Sequence, residues 1–239
     1  MINKILTMKK RIILISLFIA GLLQVYAQTK NNPKLFTDFF NQDSCILLTS
    51  GRNTYFILEP GYQLILQGIE GKDTTRLIIT VLTEIKRIGT VETRVVEENE
   101  SVNGKVVEIS RNYMGFCKQT GSIFYFGEDV DIYKGGKIVS HSGGWIAEGK
   151  NRAGIMMPGF PLLGARYYQE IAPGVAMDRA EIISISEQVN APAGPFTNVM
   201  KIEETTPLEP KDKEFKLYAP GIGLIKDENL LLVKYGINK

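Results

Sequence analysis

The chain has 239 residues, of which 44% are hydrophobic and 23% charged, the balance of an ordinary folded domain, which excludes disorder and collagen-like repeats. The formal charge of +2 comes from the first 27 residues, where Lys4, Lys9, Lys10 and Arg11 meet no acid; without them 24 basic residues stand against 26 acidic ones. No concentrated basic run remains, so no nucleic-acid partner is expected.

The four cations precede an apolar run, residues 12–20, interrupted only by Ser16, extended by Gly21-Leu22-Leu23 and closed by Gln24-Val25-Tyr26-Ala27. A basic start, a short apolar core and a small exit residue describe a secretory signal peptide over residues 1–27. Cleavage after Ala27 leaves Gln28 first. The apolar stretch is about a dozen residues, short of the roughly 20 that a spanning helix needs. An uncleaved anchor helix is the alternative. No later stretch approaches spanning length, so the protein is expected to be exported, periplasmic or secreted, with no transmembrane segment after cleavage. Residues 28–50 read as a polar tether with a possible short helix, since Leu35-Phe36 and Phe39-Phe40 make one apolar helical turn.

From Tyr55 onward the apolar period is mostly two, the signature of strands. Strands are expected at 62–69, 74–85, 91–98, 105–116, 122–126, 137–141, 166–171, 175–189, 196–205, 213–218 and 230–235. Asn103-Gly104 suits a tight hairpin, because both residues tolerate positive φ. Ala219-Pro220-Gly221 and Ala191-Pro192-Ala193-Gly194 read as corners, and Gly223 as a point of close backbone approach. There is no alternation of strands with amphipathic helices, which excludes a parallel α/β sheet. The expected fold is all-β: one antiparallel, strongly curved sheet or incomplete barrel of about ten strands over residues 51–239. Its core should include Leu64, Leu66, Ile79, Val81, Phe124, Phe126, Ile183, Ile185, Val199 and Leu217. The glycine-rich segment 143–164 reads as an irregular loop, not a central strand. Its apolar residues Ile155, Met156, Met157 and Phe160 serve either as a plug over the sheet's open face or as a lip for an apolar ligand.

Several motifs in this chain occur together: Asn53-Thr54-Tyr55-Phe56-Ile57-Leu58-Glu59-Pro60-Gly61, Phe124-Tyr125-Phe126-Gly127-Glu128-Asp129-Val130-Asp131, Pro173-Gly174-Val175-Ala176-Met177-Asp178-Arg179-Ala180-Glu181, Thr206-Pro207-Leu208-Glu209-Pro210, and Tyr218-Ala219-Pro220-Gly221-Ile222-Gly223-Leu224-Ile225. In these the chain resembles a widespread family of secreted bacterial all-β proteins without an established activity. The resemblance spans about residues 52–233 and implies an exported β domain, with no catalytic residue to carry over. Pro195 departs from the pattern, where Gly194-Pro195-Phe196 replaces a glycine, a small hydroxyl residue and a phenylalanine. Cys45 and Cys117 are peculiar to this member. Their residues admit a bridge closing a loop of about 70 residues or two separate buried thiols.

Catalytic signatures are sparse. His141 is the only histidine, and neither a nucleophile elbow nor a phosphate loop accompanies it. With two distant cysteines and one histidine, a zinc site is not expected. Glu128, Asp129 and Asp131 form the best candidate metal cluster, oxygen-rich enough for Ca²⁺, with a solvated turn as the plain alternative. Glu170, Asp178, Glu181 and Glu187 offer carboxylate pairs for glycoside hydrolysis, or simple salt bridges with Arg166 or Arg179. Trp145 is able to stack on a ligand or fill core. The expected function is non-catalytic binding of an apolar or amphipathic ligand, such as a small molecule or lipid, or of an envelope protein. Trp145, Ile155, Met156, Met157 and Phe160 are the expected contacts, with no cofactor beyond a possible Ca²⁺. The alternative is a hydrolase-like or metal-dependent enzyme using Glu128, Asp129 and Asp131 with His141. Export itself is tested by the intact mass of the mature protein: the account predicts a chain beginning at Gln28, and a species retaining residues 12–23 contradicts it.

Overall fold

The computed structural model describes residues 34–237; the expected signal peptide and the first part of the expected tether lie outside them. Among the described residues there are eighteen strands and no α-helix. After a 3₁₀ turn at Gln42–Ser44 come three short strands, β1 (Leu47–Leu48), β2 (Gly51–Arg52) and β3 (Ile57–Leu58). Five long ones follow: β4 (Tyr62–Glu70), β5 (Asp73–Ile88), β6 (Val91–Val102), β7 (Lys105–Cys117) and β8 (Ile123–Lys134). β9 (Lys137–Ser140), β10 (Trp145–Ile146) and β11 (Arg152–Met157) fold back onto β8. β12 (Arg166–Tyr168) and β13 (Glu170–Ile171) precede a closing meander of β14 (Arg179–Ala191), β15 (Gly194–Thr205), β16 (Glu214–Ala219), β17 (Gly223–Asp227) and β18 (Leu230–Ile237).

The long hairpins follow from their turns. Asn103 and Gly104 both adopt positive φ, 50° and 75°, which matches the right-handed twist of β6 and β7. Gly135 and Gly136 do the same between β8 and β9. The main sheet runs in the order β12-β14-β15-β16-β17-β18-β4-β5-β6-β7-β8-β11-β13. Its two ends, β12 and β13, are halves of one segment separated only by Gln169. The first half pairs with β14 and the second with β11, so the antiparallel sheet is nearly closed into a barrel. The curved all-β sheet matches the expectation from the sequence, with more strands than the ten anticipated.

Segment 143–164 differs from its reading as an irregular loop, because it contains the paired strands β10 and β11. Gly154 makes this possible. A Cβ there would lie 2.4 Å from the backbone of Gln169 and 2.5 Å from the Tyr168 carbonyl, so only glycine lets β11 pass this close to the seam. Gly223 works differently from its expected role. Its nearest neighbours stand at ordinary contact distance, and its φ of 108° is what demands glycine.

Two apolar clusters hold the fold. One fills the inside of the barrel around Leu66, Met114, Ile182, Met200, Ile202 and Leu232. The second lies on the outer face of β5–β8, where Val95, Tyr113, Phe124 and Phe126 are covered by Phe40, Cys45 and Leu47 of the N-terminal segment. Cys45 and Cys117 are joined in a disulfide across 72 residues, which fixes that cover to the end of β7. Residues 35–40 are not helical. Thr37 instead bridges to Tyr167, and Phe36 packs edge-on to Tyr168 beneath Arg179. Of the expected core, Leu64, Leu66, Val81, Phe124, Phe126, Val199 and Leu217 are buried, and Ile79 partly so. Ile183 is only partly buried and Ile185 is exposed; Ile182 takes the inward place. The β14–β15 ladder shifts register between Ile182 and Ser184, and such a shift exchanges the faces of everything beyond it.

A larger irregularity sits in β5, whose pairing with β6 breaks between Val81 and Ile85. The carbonyls of Leu82, Thr83 and Glu84 lose their ladder partners there. Arg94 Nη1 donates to all three, at 3.4, 2.7 and 3.3 Å, while its Nε reaches the Thr49 carbonyl at 2.8 Å. A buried cation thus satisfies the bend that lets β5 curve around the barrel.

Candidate functional site

Inside the barrel is a cavity of about 350 Å³. Strand alternation decides what lines it, because every second residue points inward. β6 supplies Val96 and Glu98; β7 supplies Glu108, Ser110, Asn112 and Met114. On β8 the inward residues are Tyr125 and Glu128, three apart, because the ladder with β7 shifts between Asn112 and Met114. The seam adds Gln169 and Glu170, with Asp178 beside them. Glu204 of β15, Lys216 and Tyr218 of β16, and Asp227 of β17 complete the polar wall. The remainder is apolar: Phe56, Ile57, Tyr62, Leu64, Ile79, Val81, Met156, Ile222 and Leu224. Seven carboxylates therefore share the space with one lysine.

The polar wall is internally wired. Lys216 Nζ lies 2.8 Å from Glu204 Oε2, and Gln169 Nε2 donates to Glu204 Oε1 at 2.8 Å. Tyr125 donates its hydroxyl to Asn112 Oδ1 at 2.5 Å and meets Trp145 edge-on, with centroids 5.3 Å apart. Glu170 is 5% exposed, and the donors beside its carboxyl are the Trp145 indole and the Asp178 backbone.

Burial and mutual repulsion move the carboxyls upward. Loss of water pushes Glu98 up to about 7, with Asp227, Glu108 and Glu204 adding to the rise and Lys216 opposing it. Glu128 is pushed up to about 7, first by burial and then by Glu98, Glu108 and Asp178, against the nearby Tyr125 hydroxyl. Glu170 rises to about 8, from burial first, then Asp178 and Glu128, against hydrogen bonds from the Asp178 backbone and the Trp145 indole. Asp178 and Glu108 are also raised by burial. Lys216 goes up despite its burial, because Glu204 and Asp227 hold its charge.

The residues expected from the sequence are distributed differently. Glu128 faces the cavity, but Asp129 and Asp131 do not. Asp129 accepts a hydrogen bond from Tyr113 and lies 4.0 Å from Lys86. Asp131 pairs with Arg111 at 3.3 Å and with His141 Nδ1 at 2.9 Å. Strand alternation is the reason, because Glu128 and its neighbour Asp129 point to opposite faces. Among the described residues no group of three or more histidine, cysteine, aspartate or glutamate side chains is arranged to hold a metal ion. Of the expected apolar contacts, Met156 lines the cavity, with Gln169 Nε2 3.8 Å from its sulfur. Met157 is fully buried core, Ile155 packs between the two clusters, and Trp145 is buried behind Tyr125. Phe160 is 80% exposed. Of the four carboxylates weighed for hydrolysis, Glu170 and Asp178 reach the cavity. Glu181 pairs with Arg166 at 2.8 Å, and Glu187 lines a separate groove.

Glu98, Glu108, Glu204, Lys216 and Asp227 were not anticipated. A signal existed: Glu98 shares strand parity with Val96, and Ser110 and Asn112 share it with Met114, so polar residues occupy an inward row. It is masked because Val95 and Tyr113 of the opposite row are buried too. Comparison with protein-family models, curated proteins and solved structures finds no match in any of the three.

The raised carboxyls set a pH dependence. Their folded pKa lies above the unfolded value, so the folded state binds extra protons. The stability they contribute is complete below about pH 4.5 and is lost as pH rises through the range from 7 to 8 for Glu128, Glu98 and Glu170. Replacing Glu170 by Gln is expected to stabilise the protein by about 2–4 kcal/mol at pH 8.5 and to give little or no gain at pH 5. Denaturant titrations at the two pH values check this; an equal effect at both contradicts it.

Proposed function

We propose that the protein is an exported, non-catalytic binding domain whose barrel interior holds a small amphipathic molecule. The observation that supports this is the cavity itself, about 350 Å³, lined by both apolar side chains and carboxylates. That volume falls within the range of small-molecule sites, which pair an apolar lining with a few placed polar groups. A barrel of this kind normally fills its interior with side chains or keeps room for one ligand. Here Leu66, Ile182, Ile202 and Leu232 fill part of the interior, and the remaining space is bordered by ionisable groups that packing alone does not require. Burying such groups is costly, and a binding role gives that cost a use. Export follows the reading of residues 1–27, and a secreted β domain is what the family resemblance implies.

The alternative that uses Glu128, Asp129 and Asp131 with His141 draws no support from their placement, because Glu128 faces the cavity while Asp131 and His141 pair with each other away from it. The binding reading predicts that a neutral fluorescent probe, N-phenyl-1-naphthylamine, brightens on mixing with the protein. Ile79→Trp and, separately, Met156→Trp should each weaken that binding at least tenfold while the circular dichroism spectrum stays that of a β protein. Undiminished binding in both folded variants would place the probe elsewhere and overturn the reading.

A further inference from the structure

We propose that the end of the barrel carrying the loop between β11 and β12 docks on the surface of a lipid bilayer, with Phe160, Leu162 and Leu163 entering the boundary between headgroups and acyl chains. The inference goes beyond the cavity and does not depend on whether the cavity holds a ligand.

The first observation is where the apolar surface lies. Phe160, Leu162 and Leu163 are 80%, 59% and 64% exposed, three large apolar side chains within four consecutive positions. A single exposed leucine is ordinary, whereas a contiguous apolar patch marks a contact surface. The backbone of this loop is held in place. The Gly159 N–H donates to Ser122 Oγ at 3.1 Å, the Gly164 N–H to the Ile182 carbonyl at 2.7 Å, and Asn53 Nδ2 to the Pro158 carbonyl at 3.5 Å. Gly159 rests on the turn between β7 and β8 so closely that a Cβ there would overlap the Thr120 carbonyl. The three side chains are thus displayed to solvent by an anchored frame.

The second observation is charge. The loop, residues 158–165, and the turn it rests on, residues 118–122, contain one charged residue between them, the exposed Lys118. No aspartate or glutamate occurs from position 149 to 169. Arg166, just beyond the loop, is neutralised by Glu181 at 2.8 Å. On the other side of the turn Ile46 is 56% exposed; its N–H donates to Gln119 Oε1 at 2.8 Å and its carbonyl accepts from the Lys118 N–H at 3.0 Å. Apolar side chains beside a cation, with no acid among them, suit a bilayer with anionic headgroups, where apolar burial and attraction of cations add.

Size separates a bilayer from a protein partner. A stable protein interface buries about 800 Å² per partner and uses roughly 20–30 residues a side. One short loop and one turn supply far fewer, whereas a few side chains entering lipid need no matching surface.

The test uses the mature protein, sedimented with vesicles of phosphatidylcholine alone or of phosphatidylcholine and phosphatidylglycerol in equal parts. Binding is expected to be tighter to the mixed vesicles. The triple variant Phe160→Ser, Leu162→Ser, Leu163→Ser should bind them at least tenfold more weakly with an unchanged circular dichroism spectrum. Lys118→Glu should weaken binding to the mixed vesicles and leave binding to phosphatidylcholine unaltered. Should the triple variant fail to fold, Phe160→Trp gives a second readout: its emission should shift to the blue on addition of mixed vesicles, beyond any change in the wild type, whose Trp145 is buried. Wild-type protein that stays in the supernatant with both vesicles, a folded triple variant that binds like the wild type, or a Phe160→Trp emission unmoved by vesicles overturns the proposal. Dimers of the wild type that the triple variant loses, without vesicle binding, would assign the loop to a second copy of the chain and overturn it as well.

Discussion

Lys216 is the fixed charge around which the interior is arranged. Its ammonium sits inside a barrel, where an isolated cation would be costly, and it stays charged because Glu204 and Asp227 hold it there. One lysine neutralises only part of what surrounds it. Glu98 feels it as a partial relief, whereas the causes acting on Glu170 and Glu128 do not include it. The interior is therefore graded: an ion-paired sector near β15–β17, and a sector near β8 and β13 where carboxyls crowd one another without a counter-charge. In the second sector the carboxyls take up protons until about pH 7 to 8 instead of carrying charge unopposed.

The seam places the decisive carboxyl in that second sector. A continuous strand across residues 166–171 would pair with one neighbour only. By changing partners at Gln169, the segment joins β14 to β11 and turns Glu170 inward beside Asp178. Gly154 is what lets β11 come close enough to take up the second half. The pinning of the N-terminal segment by Cys45–Cys117 and the capping of the β5 bend by Arg94 serve the same curvature from the outside. These devices are all local breaches of regular pairing, the usual means by which a sheet is curved toward closure.

Much of the fold was legible in the chain. The long strands β4–β7, β14 and β15 carry alternating apolar residues over enough length that turn signals such as Asn103-Gly104 set their ends to within a few residues. β17 was missed because Gly221 and Gly223 read as a continuous corner, and β11 because glycines around Arg152–Met157 hid a short paired strand. The site was less legible. Alternation places Asp129 and Asp131 on one face, and the structure keeps that relation; what the chain could not indicate is that this face is the outer one. Which side of β8 becomes the interior depends on where the N-terminal segment lies, and that is a long-range contact between Phe40 and Phe124. The bulge in β14 after Ile182 has no local signature, and it moves a whole row of side chains to the other face; the one in β8 is marked only by Gly127, whose φ is 142°.

The account depends most directly on the state of the Glu170 carboxyl. Carbon-13 NMR of selectively labelled glutamate carboxyls, assigned by comparison with Glu170→Gln, follows that group through a pH titration. The account predicts a midpoint near 8, because burial and the neighbouring carboxylates disfavour the charged form. A midpoint in the ordinary glutamate range, about 4 to 5, would contradict the crowded interior on which the whole reading is built.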